Sequence, residues 1–331
     1  QHLPYQAQAA YKADILREQL ERIGGLNNPP VKPTIACPQP WNYRNHIQFH
    51  LTADGQLGYH QNRSEKVFAV QECHLPEAAL EEVWPRLDFE PVQGIERIGL
   101  RAGQGEDVQV ILEASSLEIP EISIEELPIS LVHLSPVGEV VLAGSAFTFI
   151  QVLDRLFRIS AGSFFQVNTA MAGALVEHIL DYLEFSSKMT ILDVYCGVGL
   201  FSAFLAPRVG RLIAIEVASP ACDDFVYNLD EFDHVELYEA PAEAVLPTLG
   251  VRADVILVDP PRAGLDRKCL DGILAIQPRK LVYVSCDPAT LARDARRLIK
   301  GGYTLGQITP FDLFPQTYHI ESVSFWDAPV A

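Results

Sequence analysis

Cys286 and Glu321 are the residues whose types and settings could carry covalent chemistry. Cys286 follows Leu281-Val282-Tyr283-Val284-Ser285 and precedes Asp287-Pro288. The apolar run has no polar alternation, as expected of a buried strand at the centre of a parallel sheet. Asp287 is a candidate N-cap and Pro288 a first helical residue. Cys286 then sits at the carboxyl end of a strand and beside a helix N-terminus. Open α/β sheets place ligands there, and a helix N-terminus lowers a thiol pKa. A buried structural cysteine is the other reading of the same stretch. Glu321 opens an apolar strand after Asp312–Ile320. Alone it is an edge charge; paired with a cysteine nucleophile it becomes a base for a proton that must leave later.

A second group has the spacing of a nucleoside site. Asp193-Val194-Tyr195-Cys196-Gly197-Val198-Gly199 reads as a strand-to-helix turn whose glycines let a ligand approach the backbone. Glu216 ends the next strand, where a carboxylate can accept from ribose hydroxyls. The third glycine of a dinucleotide fingerprint is absent, since Phe201-Ser202 follows. An adenosine cofactor without a pyrophosphate fits better, with S-adenosylmethionine the leading candidate. Asp259-Pro260-Pro261-Arg262 ends a further strand in a rigid loop that can hold a planar base, or in a plain strand stop. Gln166, in Gly162–Asn168, offers a donor and acceptor pair suited to a base edge or an amino-acid moiety. Arg293, Arg296, Arg297 and Lys300 form a basic stripe at helical spacing. It either complements a helix dipole or contacts RNA phosphate.

These residues need a frame of alternating strands and helices. From about residue 160 the chain supplies one: strands at Thr190–Tyr195, Arg211–Ile215, Val235–Tyr238, Ala253–Val258 and Leu281–Val284 alternate with helices, and Tyr303–Phe311 and Glu321–Trp326 close it as an antiparallel edge pair. Such a series implies a doubly wound parallel sheet. Before it, strands at Arg44–Leu51, Gln56–Tyr59, Lys66–Val70, Ile95–Arg101, Asp107–Glu113, Ser130–Ser135 and Phe147–Ile150 read as an antiparallel β-rich domain, with Asp54-Gly55 as a hairpin turn and turns at Glu118–Pro128. An amphipathic helix over Pro4–Ile23, with Leu16, Leu20 and Ile23 on one face, precedes both. The expected division is an N-terminal helix segment (1–28) packing on the catalytic domain, a β-rich domain (29–160) and an α/β catalytic domain (161–331).

Composition narrows the class. At 331 residues and 48% hydrophobic content, the chain has enough apolar material for two cored domains. A net charge of −18 argues against a generic nucleic-acid binder, although the acidic excess is concentrated in residues 51–150, with 5 basic and 17 acidic side chains. No apolar run reaches membrane-spanning length. The six cysteines show no CxxC pairing, so neither a disulfide framework nor a closed zinc site is expected, and the cytoplasm is the expected location. A chain opening on Gln1 reads as a fragment or processed product.

In their order, Gly162–Asn168, Asp193–Gly199, Glu216, Asp259–Leu265, Ser285–Asp294 and Asp312–Glu321 resemble the RNA uracil-5-methyltransferase family of the RumA and TrmA type. Gln1–Gln8 and Tyr43-Arg44-Asn45 resemble its 23S rRNA branch. The resemblance implies a Rossmann-like S-adenosylmethionine-dependent methyltransferase sheet beside the smaller β-rich domain. It implies a covalent bond from Cys286 to C6 of a flipped uridine, methyl transfer to C5, and removal of the C5 proton by Glu321. It places Gln166, Tyr195, Gly197, Gly199, Glu216 and Asp259 on the cofactor side, and RNA as the partner, 23S rRNA ahead of tRNA, for a monomer. Two departures stand out: Asp287 where many members have Asn, and Leu200 where relatives have Asn or Thr. The ribosomal branch also carries a TRAM domain and three cysteines upstream that, with a fourth, hold a 4Fe-4S cluster. Cys73 matches the fourth, so the cluster is expected only in a longer parent chain. A catalytically silent RNA-binding or ribosome-assembly protein on the same fold is the alternative outside enzymes.

Overall fold

The computed structural model describes residues 2–62, 64–87, 89, 94–105, 107–116 and 128–329. Two units form, Gln1–Pro40 with Ala170–Ala331, and Trp41–Thr169. Helix α1 (Tyr5–Arg22) belongs to the first. Its Leu16 and Leu20 are fully buried in that unit's core, whereas Ile23, expected on the same face, lies past the helix end and is 40% exposed. The segment after it, assigned from sequence to the β-rich domain, adds to the first unit's sheet: the amides of Lys32 and Ile35 donate to Ile308 O and Pro310 O.

The Trp41–Thr169 unit holds β1 (His46–Leu51), β2 (Leu57–His60), β3 (Val67–Ala69), α2 (Ala78–Val83), β4 (Ile95–Ala102), β5 (Val108–Ala114), β6 (Ile129–Ser135), β7 (Gly138–Ala143), β8 (Phe147–Val152) and β9 (Arg155–Ser160). One seven-stranded sheet runs β3-β2-β1-β4-β5-β6-β7, and β8 and β9 form a hairpin. The sheet is not wholly antiparallel as expected, because β5 and β6 pair in parallel. A parallel pair cannot be joined by a tight hairpin, and most of the Glu118–Pro128 stretch read as turns lies outside the described residues. Two strands escaped the sequence reading for physical reasons. β7 is an edge strand exposed on both faces over most of its length, so no alternation marks it. The β8–β9 turn places Leu153 at φ +53°, where glycine or asparagine would have signalled a hairpin.

In the first unit follow α3 (Thr169–Tyr182), β10 (Thr190–Val194), α4 (Leu200–Leu205), β11 (Arg211–Glu216), α5 (Ser219–Asn228), β12 (Val235–Glu239), α6 (Ala242–Val245), β13 (Val255–Val258), α7 (Arg267–Ile276), β14 (Lys280–Ser285), α8 (Pro288–Lys300), β15 (Thr304–Phe311) and β16 (Glu321–Asp327). The sheet order is β12-β11-β10-β13-β14-β16-β15. Strands β10 to β14 are parallel, and β16 is antiparallel to both its neighbours. Order reverses between β10 and β13, the switch point at which doubly wound sheets open a crevice. The inner strands are apolar without alternation because both faces are covered: Val255–Val258 and Leu281–Val284 are all buried. Among the described residues no helix is long and apolar enough to cross a membrane.

Candidate active site

Four strand ends of the first unit converge on one edge of the sheet. β10 leads into the glycine turn, β11 ends on Glu216, β13 leads to Asp259, and β14 leads to Cys286. Glu321 arrives from the opposite direction. Because β16 is antiparallel to β14 with Ser285 opposite Ser322, its first residue comes level with Cys286. Glu321 is also opposite Phe311 of β15 and is only 3% exposed. Topology therefore places the two residues side by side, 35 positions apart in the chain.

Local chemistry holds Cys286 at this edge. The Asp287 carboxylate caps α8 by accepting the amides of Ala289 and Thr290 at 2.9 and 3.0 Å. It lies 3.8 Å from the Arg262 guanidinium, so the charge that departs from the Asn common in the family has partners. Helix α8 also holds the Asp259–Leu265 loop. The buried Asp294 accepts the Leu265 amide and the Tyr283 hydroxyl, each at 2.9 Å, while Arg293 donates to Ala263 O at 2.9 Å. The basic stripe divides accordingly: Arg293 ties down this loop and Arg297 pairs with Asp271 at 2.6 Å, leaving Arg296 and Lys300 exposed.

The site is rich in carboxyls whose pKa burial raises. Asp193 is fully buried; its Oδ2 accepts from Ser202 at 2.6 Å and its Oδ1 has no protein partner. Burial raises its pKa to about 7, and nearby Glu216 adds to the rise. Asp259 is raised by burial and by Asp193, and Glu321 is held well above the carboxylate range by burial and by Asp259. Cys286, half-buried, is pushed up to about 12 by burial, then by the Glu321 and Asp259 charges. The expected lowering by the helix N-terminus is thus outweighed by burial and by acidic groups from other strands.

On the cofactor side, Gly197 has φ +54° and no atom within 4 Å of where a side chain would begin. Its amide donates to Glu216 Oε2 at 2.9 Å, and Glu216 Oε1 accepts the amides of Val217 and Ala218. Gly199 differs: at φ +93°, a Cβ would fall 2.4 Å from Leu229 and 3.0 Å from Phe225, so the missing side chain allows close packing on α5. Tyr195 has φ +65° on the turn, but its hydroxyl bonds Cys269 of α7 and its ring packs on the core. Leu200 is buried. In the sequence Asp193 marks only the start of the turn; nothing about an acidic strand residue signals burial or an orphaned oxygen.

Two assigned residues belong to the Trp41–Thr169 unit. Gln166 is 9% exposed and its carbonyl accepts from Asn45 Nδ2 at 3.0 Å. Cys73 has the Tyr59 hydroxyl 4.0 Å from its sulfur. Among the described residues no group of three or more His, Cys, Asp or Glu side chains is placed to hold a metal. The residues present do not fit a four-cysteine cluster.

The family described as tRNA (Uracil-5-)-methyltransferase matches residues 120–328. An uncharacterized RNA methyltransferase of Halalkalibacterium halodurans is 34% identical, over 98% of this chain and 79% of its own. One of Streptomyces coelicolor is 33% identical, over 98% and 74%. Among solved structures, the Pyrococcus abyssi tRNA (uracil-54, C5)-methyltransferase in complex with S-adenosyl-L-homocysteine superimposes with a TM-score of 0.73 at 26% identity, covering 98% of this chain and 84% of that one. A sheet whose carboxyl edge gathers a glycine turn, a cysteine and buried carboxyls, and whose sequence matches the family over most of its length, makes this chain a member of the tRNA (uracil-5-)-methyltransferase family.

Proposed function

We propose that this protein methylates C5 of a uridine in RNA through a covalent bond between Cys286 and C6 of the base. The observation that carries this reading is the register that sets Glu321 level with Cys286 at the open end of the sheet. N- and O-methylation need no such nucleophile, whereas C5 of uracil must first be made electron-rich.

The residues present fit S-adenosylmethionine as the cofactor. Gly197 leaves open space at the turn, Glu216 stands at the end of β11, and the buried Asp193 keeps one oxygen without a protein partner. Gly197, Glu216 and Asp259 would hold it, with Asp193 beside them; Tyr195 and Gly199 contribute backbone to the turn. Gln166 is carried by the other unit, and its assignment rests on the family resemblance. S-adenosylmethionine, when bound, supplies the methyl group that C5 takes. Cys286 adds as thiolate to C6 of the flipped base, which makes C5 nucleophilic. After methylation, Glu321 takes the C5 proton. The C5–H electron pair restores the ring double bond, and the C6–S bond breaks with its pair returning to Cys286.

The resemblance of Gln1–Gln8 and Tyr43-Arg44-Asn45 to the 23S rRNA branch supports 23S rRNA as substrate. A second reading, tRNA, is favoured by the likeness to the Pyrococcus abyssi enzyme, whose target is a tRNA uridine. One experiment tests both. The chain is incubated with S-adenosylmethionine and 5-fluorouridine-substituted 23S rRNA or tRNA, then run on a denaturing gel. Fluorine at C5 cannot leave as a proton, so the adduct persists. The RNA that shifts the band identifies the substrate. Cofactor binding with no adduct on either RNA sinks the reading and favours a silent RNA-binding protein.

Two further results are expected. With the thiol pushed up to about 12, the thiolate is a minor species at neutral pH. Its population rises about tenfold per pH unit below the pKa. The single-turnover rate of adduct formation should therefore climb from pH 6 to pH 9; a flat profile would contradict the assignment. Gly199→Ala should destabilise the chain by about 1–3 kcal/mol in urea unfolding, through strain and the clash with Leu229. Gly197→Ala should cost only about 1 kcal/mol of left-handed strain yet weaken S-adenosylmethionine binding in calorimetry. The reverse pattern would show that Gly197 serves packing alone.

A further inference from the structure

Helix α1 turns Tyr5, Gln8 and Lys12, spaced i, i+3 and i+7, toward the loop between β15 and β16. The buried Lys12 Nζ donates to Asp312 Oδ1 at 2.6 Å and to Phe314 O at 3.0 Å. Gln8 Nε2 donates to Gln316 Oε1 at 3.0 Å, and Gln316 is held at φ +65°, a left-handed conformation unusual for glutamine. The Tyr5 hydroxyl lies against Asp312, and the Asp312 amide donates to Ile35 O at 2.9 Å. These grips fall on the loop whose far end is Glu321. Its stem is the rung that pairs Phe311 with Glu321, so Asp312 is the first loop residue beyond the rung that Glu321 itself completes.

The pair of Lys12 and Asp312 is a poor device for stability. Both side chains are almost fully buried, at 4% and 0% exposure. The cost of dehydrating two charges offsets much of their attraction, and an apolar pair would serve a packed helix as well. What an ion pair adds is direction: it admits one placement of the loop.

We propose that Lys12 and Gln8 are positioning residues, and that α1 acts as a clamp that aims Glu321 at the C5 proton. The inference rests on Glu321 being the base of the proposed reaction. Adduct formation at Cys286 precedes the step Glu321 performs. Loosening the clamp should therefore leave formation intact and slow breakdown.

The test uses unsubstituted substrate RNA and S-adenosylmethionine labelled in the methyl group, quenched in denaturant and resolved on a gel. The chain is compared with Glu321→Gln, Lys12→Met, Gln8→Met and the double variant Lys12→Met with Asp312→Asn. The double variant leaves no buried carboxylate without its cation, so it and Gln8→Met decide the matter if Lys12→Met alone does not fold. Labelled protein–RNA adduct should accumulate in Glu321→Gln and in the clamp variants. Breakdown should slow by about 10–100-fold, the scale of a misplacement near 1 Å, while trapping on 5-fluorouridine RNA proceeds at the wild-type rate. Accumulation in Glu321→Gln but not in folded clamp variants would overturn the clamp. So would a loss of trapping in step with turnover, the mark of a merely structural role. No accumulation in Glu321→Gln would instead refute Glu321 as the base, and the clamp with it.

Discussion

Cys286→Ala is expected to end methylation, with turnover falling by about 10⁴-fold or more, and to abolish the covalent adduct on 5-fluorouridine RNA. The reasoning is chemical. C5 of uracil becomes nucleophilic only after a group adds at C6, and no other cysteine of the first unit shares Cys286's setting. Cys37, Cys196, Cys222 and Cys269 are buried. Cys196 is 5% exposed, and burial and acidic neighbours raise its thiol well above the ordinary range. S-adenosylmethionine binding should survive in Cys286→Ala, because the glycine turn, Glu216 and Asp193 lie on β10 and β11, away from the β14 end. Retained turnover in the variant would eliminate the covalent mechanism. Joint loss of turnover and cofactor binding would show that the substitution damages the fold.

Glu321→Gln should give the opposite signature. Turnover falls by about 10²–10⁴-fold, the usual worth of a positioned base, but the adduct on natural RNA builds up because its exit is blocked. The pH dependence follows from the electrostatics. Burial and the Asp259 charge hold Glu321 protonated well above the carboxylate range, and only its ionised form can accept the C5 proton. In the wild type, adduct breakdown should rise with pH through that raised pKa. Asp259→Asn removes a repelling charge, which favours ionised Glu321 and moves the rise to lower pH. A breakdown rate that ignores pH in both proteins would exclude Glu321 as the base.

The local frame of this site was legible without coordinates. The unbroken apolar run before Ser285, the Asp287 cap and Pro288 are neighbours in the chain, and they alone dictate a strand, a turn and a helix start. The same holds for the glycine turn and for Glu216 one strand later. What neighbours cannot specify is which distant elements face that turn. The sequence reading expected an antiparallel edge pair, and only the order β14-β16-β15 brings Glu321 level with Cys286. The same packing reversed the expected direction of the thiol shift. A helix N-terminus is a local, modest effect, whereas burial and the carboxyls of Asp259 and Glu321 act through space once the sheet closes. The family resemblance places Tyr195 on the cofactor side; that its hydroxyl bonds Cys269 of α7 is a contact between elements remote in the chain, which no local pattern specifies. The grip of Gln8 and Lys12 on Gln316 and Asp312 spans about 300 residues. Sequence alone determined the strand ends and the types of reactive groups on them, because hydrogen bonding and side-chain periodicity along the chain set those. Tertiary structure decided which groups meet and which are charged, because both depend on distances and burial that arise only when remote strands pair.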